Sequence, residues 1–393
     1  MTTGVYVAQG QAAGEGEATQ QLTRIWEDLL RTQPIEPDQN YFELGGDSSL
    51  AAQMFAQIEK VFDVKLPLAT LFEAPTIADL AEILSREAPK SRWSSLVTIQ
   101  PKGSRPPFFC VHPHGGNVLV YRDLSRHVGD DQPFYGLQSL GLDGSRKPLK
   151  RIEDMAKAYI DEIRRVQPSG PYFLGGYCLG GAVAYEMAQQ LQAQGEQTAL
   201  LALFDTLNWT NTPPLSFWEN CILLAERQFF HLTNFFSLDG AERKEFFREK
   251  MSSLRGRVPV WWKTLLSKFF GGSDPATSVF GALGRVWKAN FQAYLDYVPR
   301  PYPGSLIDFR PARQYNRFVR PELKWDKLAQ GGVRIVVLPI NATAMLFEPF
   351  VRHLAAALRE SMDKAIQNLE KNPIHRLSLL SKLAGNSSRT YPE

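Results

Sequence analysis

The stretch Gly175-Gly176-Tyr177-Cys178-Leu179-Gly180-Gly181 sets one nucleophile between two pairs of glycines. Before it runs the apolar, strand-type Tyr172-Phe173-Leu174; after it Val183, Ala184, Met187, Ala188 and Leu191 recur at helical spacing. A strand, a tight turn and a helix with a nucleophile at the tip make a nucleophile elbow, in which flanking glycines let strand and helix approach closely. Serine is the usual residue at such a tip; here it is Cys178, whose thiolate attacks carbonyl carbons. The bland alternative is a buried apolar cysteine. A second chemical stretch is Leu44-Gly45-Gly46-Asp47-Ser48-Ser49, which puts a hydroxyl at the start of a helical stripe formed by Leu50, Ala51, Met54, Ile58 and Val61. That hydroxyl would sit near the positive end of the helix dipole. The alternative role for Ser48 is that of an N-cap alone.

Composition sets the frame for these two sites. A chain of 393 residues, 44% hydrophobic, has material for two to three domains. A net charge of +3 is too mild to imply a nucleic-acid partner. Cys110, Cys178 and Cys221 make neither a disulfide framework nor metal-ligand spacing, so a reducing compartment and no metal are expected. No signal peptide and no membrane-spanning run is apparent, and a soluble, cytoplasmic protein without membrane attachment is expected.

Residues 1–18 are expected to be disordered. Leu22, Ile25, Trp26 and Leu29 mark a first amphipathic helix, the Ser48 helix a second, and Leu66–Phe72 and Ile77–Leu84 two short ones. The sum is a small all-α four-helix bundle over residues 19–87. Ala88–Ser95, rich in Pro, Ser and Lys, reads as a linker. From residue 96 to 360, strands at Leu96–Gln100, Pro107–Val111, Gln132–Leu137, Ala199–Phe204, Leu306–Arg310 and Val333–Leu338 alternate with helices. With the elbow, this implies a mostly parallel sheet of the α/β-hydrolase type. The rhythm breaks over residues 213–302, where Phe229-Phe230, Phe235-Phe236, Phe246-Phe247, Trp261-Trp262 and Phe269-Phe270 occur; these doublets are expected to pack lid helices on each other and on the body. Residues 361–393 form a C-terminal extension.

The first hundred residues resemble the peptidyl carrier domains of nonribosomal peptide synthetases, on the strength of Leu44-Gly45-Gly46-Asp47-Ser48. The resemblance implies 4′-phosphopantetheine carried on Ser48, with Ser49 falling where the family has an apolar residue. The span 96–360 resembles the thioesterase domains of the same synthetases. It does so through Phe109-Cys110-Val111-His112-Pro113, Tyr135-Gly136-Leu137-Gln138, the elbow, Leu203-Phe204-Asp205-Thr206 and Met345-Leu346-Phe347-Glu348-Pro349. It implies a helical lid over the active site, upstream synthetase modules, a phosphopantetheinyl transferase, docking of carrier on thioesterase, and a peptidyl thioester substrate. The linker would hold the carrier's cargo close, making delivery effectively intramolecular.

A thioesterase needs a base for its nucleophile and an acid to orient the base. Asp205 matches the family's acid. The family's histidine position is held by Ala342, in Pro339-Ile340-Asn341-Ala342-Thr343-Ala344-Met345, where Ile340 also replaces a usual glycine. Two explanations stand: a histidine replaced by design, or a relocated base. The loop His112-Pro113-His114-Gly115-Gly116 carries a histidine where the family has a small residue, so His114 is taken as the base, with Asp205 as its orienter. Backbone N–H groups of Leu179 and of the His114 loop would form the oxyanion hole. His112 reads as structural; His127, His231, His353 and His375 suit surface or core roles. Cysteine-tipped members of this family are associated with four-membered ring products, so release by intramolecular cyclisation to a β-lactam or β-lactone is expected. Hydrolytic or macrocyclising release, and a catalytically silent domain that binds the carrier, are the alternatives.

Overall fold

A computed structural model describes residues 15–85, 93–208, 240, 243, 279–313, 325–341 and 344–371. The chain divides into two compact units with a boundary between Trp93 and Ser94.

The first unit holds four helical segments: α1 (Glu15–Leu30), α2 (Ser48–Phe62), α3 (Thr70–Glu73) and α4 (Ile77–Ser85). The apolar stripes read from the sequence form its core: Leu22 and Trp26 of α1, Met54, Phe55 and Ile58 of α2, Leu71 of α3, and Ile77 and Leu80 of α4 are all buried. Trp26 meets Tyr41 edge-on at 5.3 Å between ring centroids. Helix α1 starts earlier than expected. Residues 15–18, expected to be disordered, are helical, with Ala18 buried and an acidic residue, Glu17, near the positive end of the helix. The third segment is a single turn rather than the Leu66–Phe72 helix expected, and Leu66 and Leu68 are buried ahead of it.

The second unit is built on a seven-stranded sheet in the order β1-β3-β2-β4-β5-β6-β7. Its strands are β1 (Leu96–Gln100), β2 (Phe108–Val111), β3 (Phe134–Leu137), β4 (Tyr172–Tyr177), β5 (Thr198–Phe204), β6 (Leu306–Arg313) and β7 (Val333–Asn341). β1 pairs antiparallel with β3 and all other pairs are parallel. β2, β3 and β4 are almost wholly buried, the burial pattern of central parallel strands covered on both faces. On one face α6 (Ile152–Val166) lies against α7 (Leu179–Ala193); on the other α5 (Arg122–Val128) lies against α9 (Val351–Lys371). Helix α8 (Val279–Asp296) contributes Ala293 and Tyr294 to the α6–α7 core. No helix among the described residues is long and apolar enough to cross a membrane.

Two boundaries differ from the sequence reading. Ser94 and Ser95, read as linker, are held in the second unit, where their carbonyls accept hydrogen bonds from Gln138 Nε2 (2.8 Å) and the Gln138 N–H (2.7 Å). The last helix does not stop at residue 360. It continues to Lys371 because its apolar stripe continues through the buried Met362 and Leu369, and Asp363 pairs with Arg105. The aromatic doublets of the 213–302 insert and Ala342 lie outside the described residues.

Candidate active site

The elbow forms as the sequence predicts. β4 ends at Tyr177, α7 begins at Leu179, and Cys178 between them has φ 56° and ψ −115°, a strained conformation for a side-chain-bearing residue. The flanking glycines make this turn possible. A Cβ on Gly176 would stand 2.3 Å from the Gly180 carbonyl carbon, and one on Gly180 would stand 2.2 Å from the Val111 carbonyl oxygen. The strained residue is held by bonds on both sides: the Cys178 N–H donates to Phe204 at 2.9 Å, and its carbonyl accepts from Gly181 at 3.1 Å. The Leu179 N–H, at the positive end of α7, faces the sulfur.

His114 stands on the other side of that sulfur. Its Nδ1 is 3.5 Å from Cys178 Sγ, within hydrogen-bond reach for sulfur. The loop that carries it is pressed into place by α8. Gly116 has φ +80°, and a Cβ there would stand 2.5 Å from Val286 of that helix. Asn290 of α8 donates from Nδ2 to the His114 carbonyl at 3.0 Å. The His114 ring lies against Tyr294 and Phe291, with centroids 5.2 and 5.8 Å away. Tyr294 also holds the loop after β5: its hydroxyl donates to the Leu207 carbonyl at 2.6 Å and accepts from the Leu207 N–H at 2.9 Å. Asn290, Phe291 and Tyr294 are site residues that sequence reasoning missed. The only signal was a polar residue, Asn290, on the otherwise apolar face of an amphipathic helix.

His112 has the structural role expected of it. It is fully buried, donates from Nδ1 to the Pro113 carbonyl and accepts at Nε2 from the Tyr159 hydroxyl, both at 2.7 Å. Burial lowers its pKa to about 4, so it stays neutral. His127 meets Glu348 at 2.5 Å, and His353 lies on α9; His231 and His375 are outside the described residues.

The expected hydrogen bond from His114 to Asp205 is not formed. Nδ1 faces the sulfur, and Nε2 is buried with no hydrogen-bond partner. Asp205 sits at the end of β5 with φ 42°, its N–H bonded to Phe309 at 2.9 Å. Its carboxylate bears electrostatically on the sulfur. The Cys178 thiol is pushed up to about 12, first by burial and then by the Asp205 carboxylate, against the opposing Leu179 N–H. His114 is lowered to about 4 by burial. Near neutral pH the resting site therefore holds a thiol and a neutral imidazole, not an ion pair. One consequence is testable. Asp205→Asn should raise the rate of Cys178 alkylation by iodoacetamide at pH 8 by up to about tenfold, because one pKa unit changes the thiolate fraction tenfold. An Asp205 that oriented His114 would give a slower alkylation instead.

At the other site, the structure removes one alternative. The N-cap of α2 is Asp47, whose Oδ1 accepts from the N–H groups of Ser49 and Leu50, each at 2.8 Å. Ser48 is therefore the first helical residue, partly exposed, and its hydroxyl is not the cap. The Asp47 carbonyl accepts from the buried Tyr41 hydroxyl at 3.0 Å, which fixes the loop before the helix. A partly exposed hydroxyl beside the positive end of a helix fits a covalently attached phosphodiester.

The chain places a serine at a helix start in one unit and a nucleophile elbow in an α/β unit that follows it. Residues 20–84 match the family model of the phosphopantetheine attachment site, and residues 106–212 match that of the thioesterase domain. The chain thus carries a region that matches phosphopantetheine carriers followed by one that matches thioesterases. It is 46% identical over 187 residues to malpinin synthetase of Mortierella alpina, covering 47% of this chain and 2% of that protein. It is 43% identical over 196 residues to a dimodular nonribosomal peptide synthase of Bacillus subtilis (strain 168), covering 49% of this chain and 8% of that one. The chain thus spans less than a tenth of the length of either relative. Among solved structures it is similar in fold to a four-domain nonribosomal peptide synthetase in its holo form, bound to AMP and glycine. There the TM-score is 0.54 at 24% identity, covering 92% of this chain and 27% of that one.

Proposed function

We propose that this chain is a release module of a nonribosomal peptide synthetase, in which Cys178 takes over a peptidyl group delivered on Ser48 and releases it by intramolecular cyclisation. When bound to Ser48, phosphopantetheine supplies a thiol that carries the peptide as a thioester. The observation that carries the reading is the 3.5 Å approach of His114 Nδ1 to Cys178 Sγ at the tip of the elbow. His114 removes the thiol proton as the sulfur attacks the thioester carbonyl. The Leu179 N–H and the backbone of the His114 loop hold the developing oxyanion. The collapsing intermediate expels the carrier thiol, which takes the proton back from His114. Burial, and then the Asp205 carboxylate, keep the sulfur protonated until that transfer. The role of base falls to His114 because position 342 is alanine.

The choice of sulfur bears on the second half-reaction. Thioester exchanges for thioester, so acyl transfer is near balance, and the peptide stays more activated than on a serine oxoester. An activated acyl group suits a poor internal nucleophile, and so the closure of a strained β-lactam or β-lactone ring. Release by water or by a distant nucleophile would use the same acyl-enzyme.

The experiment is single-turnover release from the carrier-loaded protein, with product mass as readout. The expected product is lighter than the linear acid by one water. The linear acid itself would overturn cyclisation but leave the acyl-enzyme standing. Cys178→Ala should abolish release, with no acyl group found on the thioesterase domain by intact-mass analysis. Undiminished release by that variant would overturn Cys178 as the nucleophile.

A further inference from the structure

His114 and Asn290 each leave one buried polar atom without a partner. Asn290 is fully buried on the inner face of α8, and its Nδ2 donates to the His114 carbonyl at 3.0 Å. A carbonyl partner fixes the amide orientation, since only the NH₂ end can donate to it. The other end, Oδ1, is therefore an acceptor, and it has no hydrogen-bond partner. The His114 ring shows the converse. Its Nδ1 faces the Cys178 sulfur, and to accept a proton there the neutral ring must carry its own hydrogen on Nε2. Nε2 is then a donor, and it too is buried and unpaired.

An unpaired buried donor and an unpaired buried acceptor are each costly, and here both occur where the His114 loop meets α8. The ring rests on Phe291 and Tyr294, one and four residues beyond Asn290 on the same helix. The helix thus meets His114 twice, its amide on the backbone carbonyl and its aromatic rings on the imidazole. Neither ring nitrogen bonds to a carboxylate. The titratable groups facing His114 are Cys178 from the elbow, Tyr294 from α8 and His112 from its own loop.

We propose that Asn290 is the positioning residue for His114, its Oδ1 accepting the Nε2–H when the acyl chain fills the site. This inference rests on the reading of Cys178 and His114 given above. The proton balance is simple. The thiol proton passes to Nδ1, and the imidazolium then bears hydrogens on both nitrogens. Nε2–H stays on the ring as a donor to Asn290, and the Nδ1 proton goes on to the departing thiol. The arrangement is a Cys–His–Asn relay in which the orienting group is a neutral amide. An amide adds no negative charge to a pocket that already holds Asp205 beside the sulfur. A thiol is also intrinsically more acidic than a serine hydroxyl, so its base needs less reinforcement.

The test compares the full, carrier-loaded chain with Asn290→Ala, Asn290→Asp and His114→Ala, measuring release in single turnover across pH and thermal melting in parallel. Asn290→Ala is expected to slow release at least tenfold with little change in melting. Asn290→Asp restores an acceptor and adds a charge, so it is expected to recover rate and to move the acid limb of the pH profile upward. A carboxylate beside the ring moves that limb by charge alone, so it is the recovery of rate, set against the loss in Asn290→Ala, that a purely structural asparagine would not give. If Asn290→Ala does not fold, Asn290→Asp decides alone, and an unshifted acid limb overturns the proposal. Unchanged rate and profile in Asn290→Ala, with release lost in His114→Ala, would overturn the role of Asn290 and leave the base assignment standing. Unchanged release in His114→Ala would overturn the base assignment itself.

Discussion

His114→Ala should lower the rate of release from the carrier-loaded protein by about 10²- to 10⁴-fold, the range expected when a positioned general base is removed. The size follows from what the site lacks without it. The thiol is pushed up to about 12 by burial and by the Asp205 carboxylate, so near neutral pH almost no thiolate forms unaided. Nδ1 of His114, 3.5 Å from the sulfur, is the ring nitrogen placed to take the proton. His112, two residues earlier, is no substitute. Both its ring nitrogens are already engaged, with Pro113 and Tyr159, and it is fully buried. The variant should recover part of its rate as pH rises, because hydroxide then does the work of the imidazole. Single-turnover release at pH 7 and pH 9.5 checks this, and a His114→Ala enzyme with wild-type rate at pH 7 would remove His114 from the mechanism.

Ser48→Ala should abolish loading altogether. Intact-mass analysis after treatment with a phosphopantetheinyl transferase and coenzyme A is expected to show no added mass, whereas Ser49→Ala should load like the wild type. The two serines are adjacent but differ in environment. The Ser49 N–H is tied to the Asp47 carboxylate at 2.8 Å, one of the two bonds that cap α2, while Ser48 begins the helix with its hydroxyl outside the cap. The same Ser48→Ala protein should still act on a small soluble thioester at Cys178, since that assay bypasses the carrier. Loss of both activities would mean that the substitution had disturbed more than attachment.

Much of this protein is legible in the residues alone. The elbow is recognisable from its local pattern. Its glycine pattern is read directly, although Gly180 is demanded by the Val111 carbonyl of the neighbouring β2, and the strand before it and the helix after it show their own apolar periods. The four helical segments of the first unit, the strands of the second and the seat of Ser48 are likewise local patterns. That the second unit runs past residue 360 is less legible, because the apolar stripe of α9 weakens after Leu358. Met362 and Leu369 continue it, yet they are separated by enough polar residues to look like a tail.

What the tertiary structure decided is the set of partners around the sulfur. From the sequence, an aspartate after β5 and a histidine before α5 could be joined into one relay with the cysteine. In three dimensions the aspartate carboxylate bears on the sulfur, while the histidine's outer nitrogen has no hydrogen-bond partner and its backbone carbonyl is held by a helix more than 160 residues further along the chain. No periodicity or spacing encodes that choice. It depends on how α8 lies across the His114 loop, with Val286 against Gly116 and Asn290 on the His114 carbonyl. A residue type and its neighbours in sequence fix what chemistry a side chain can do; which group it does it with is set by long-range contacts that exist only once the chain has closed.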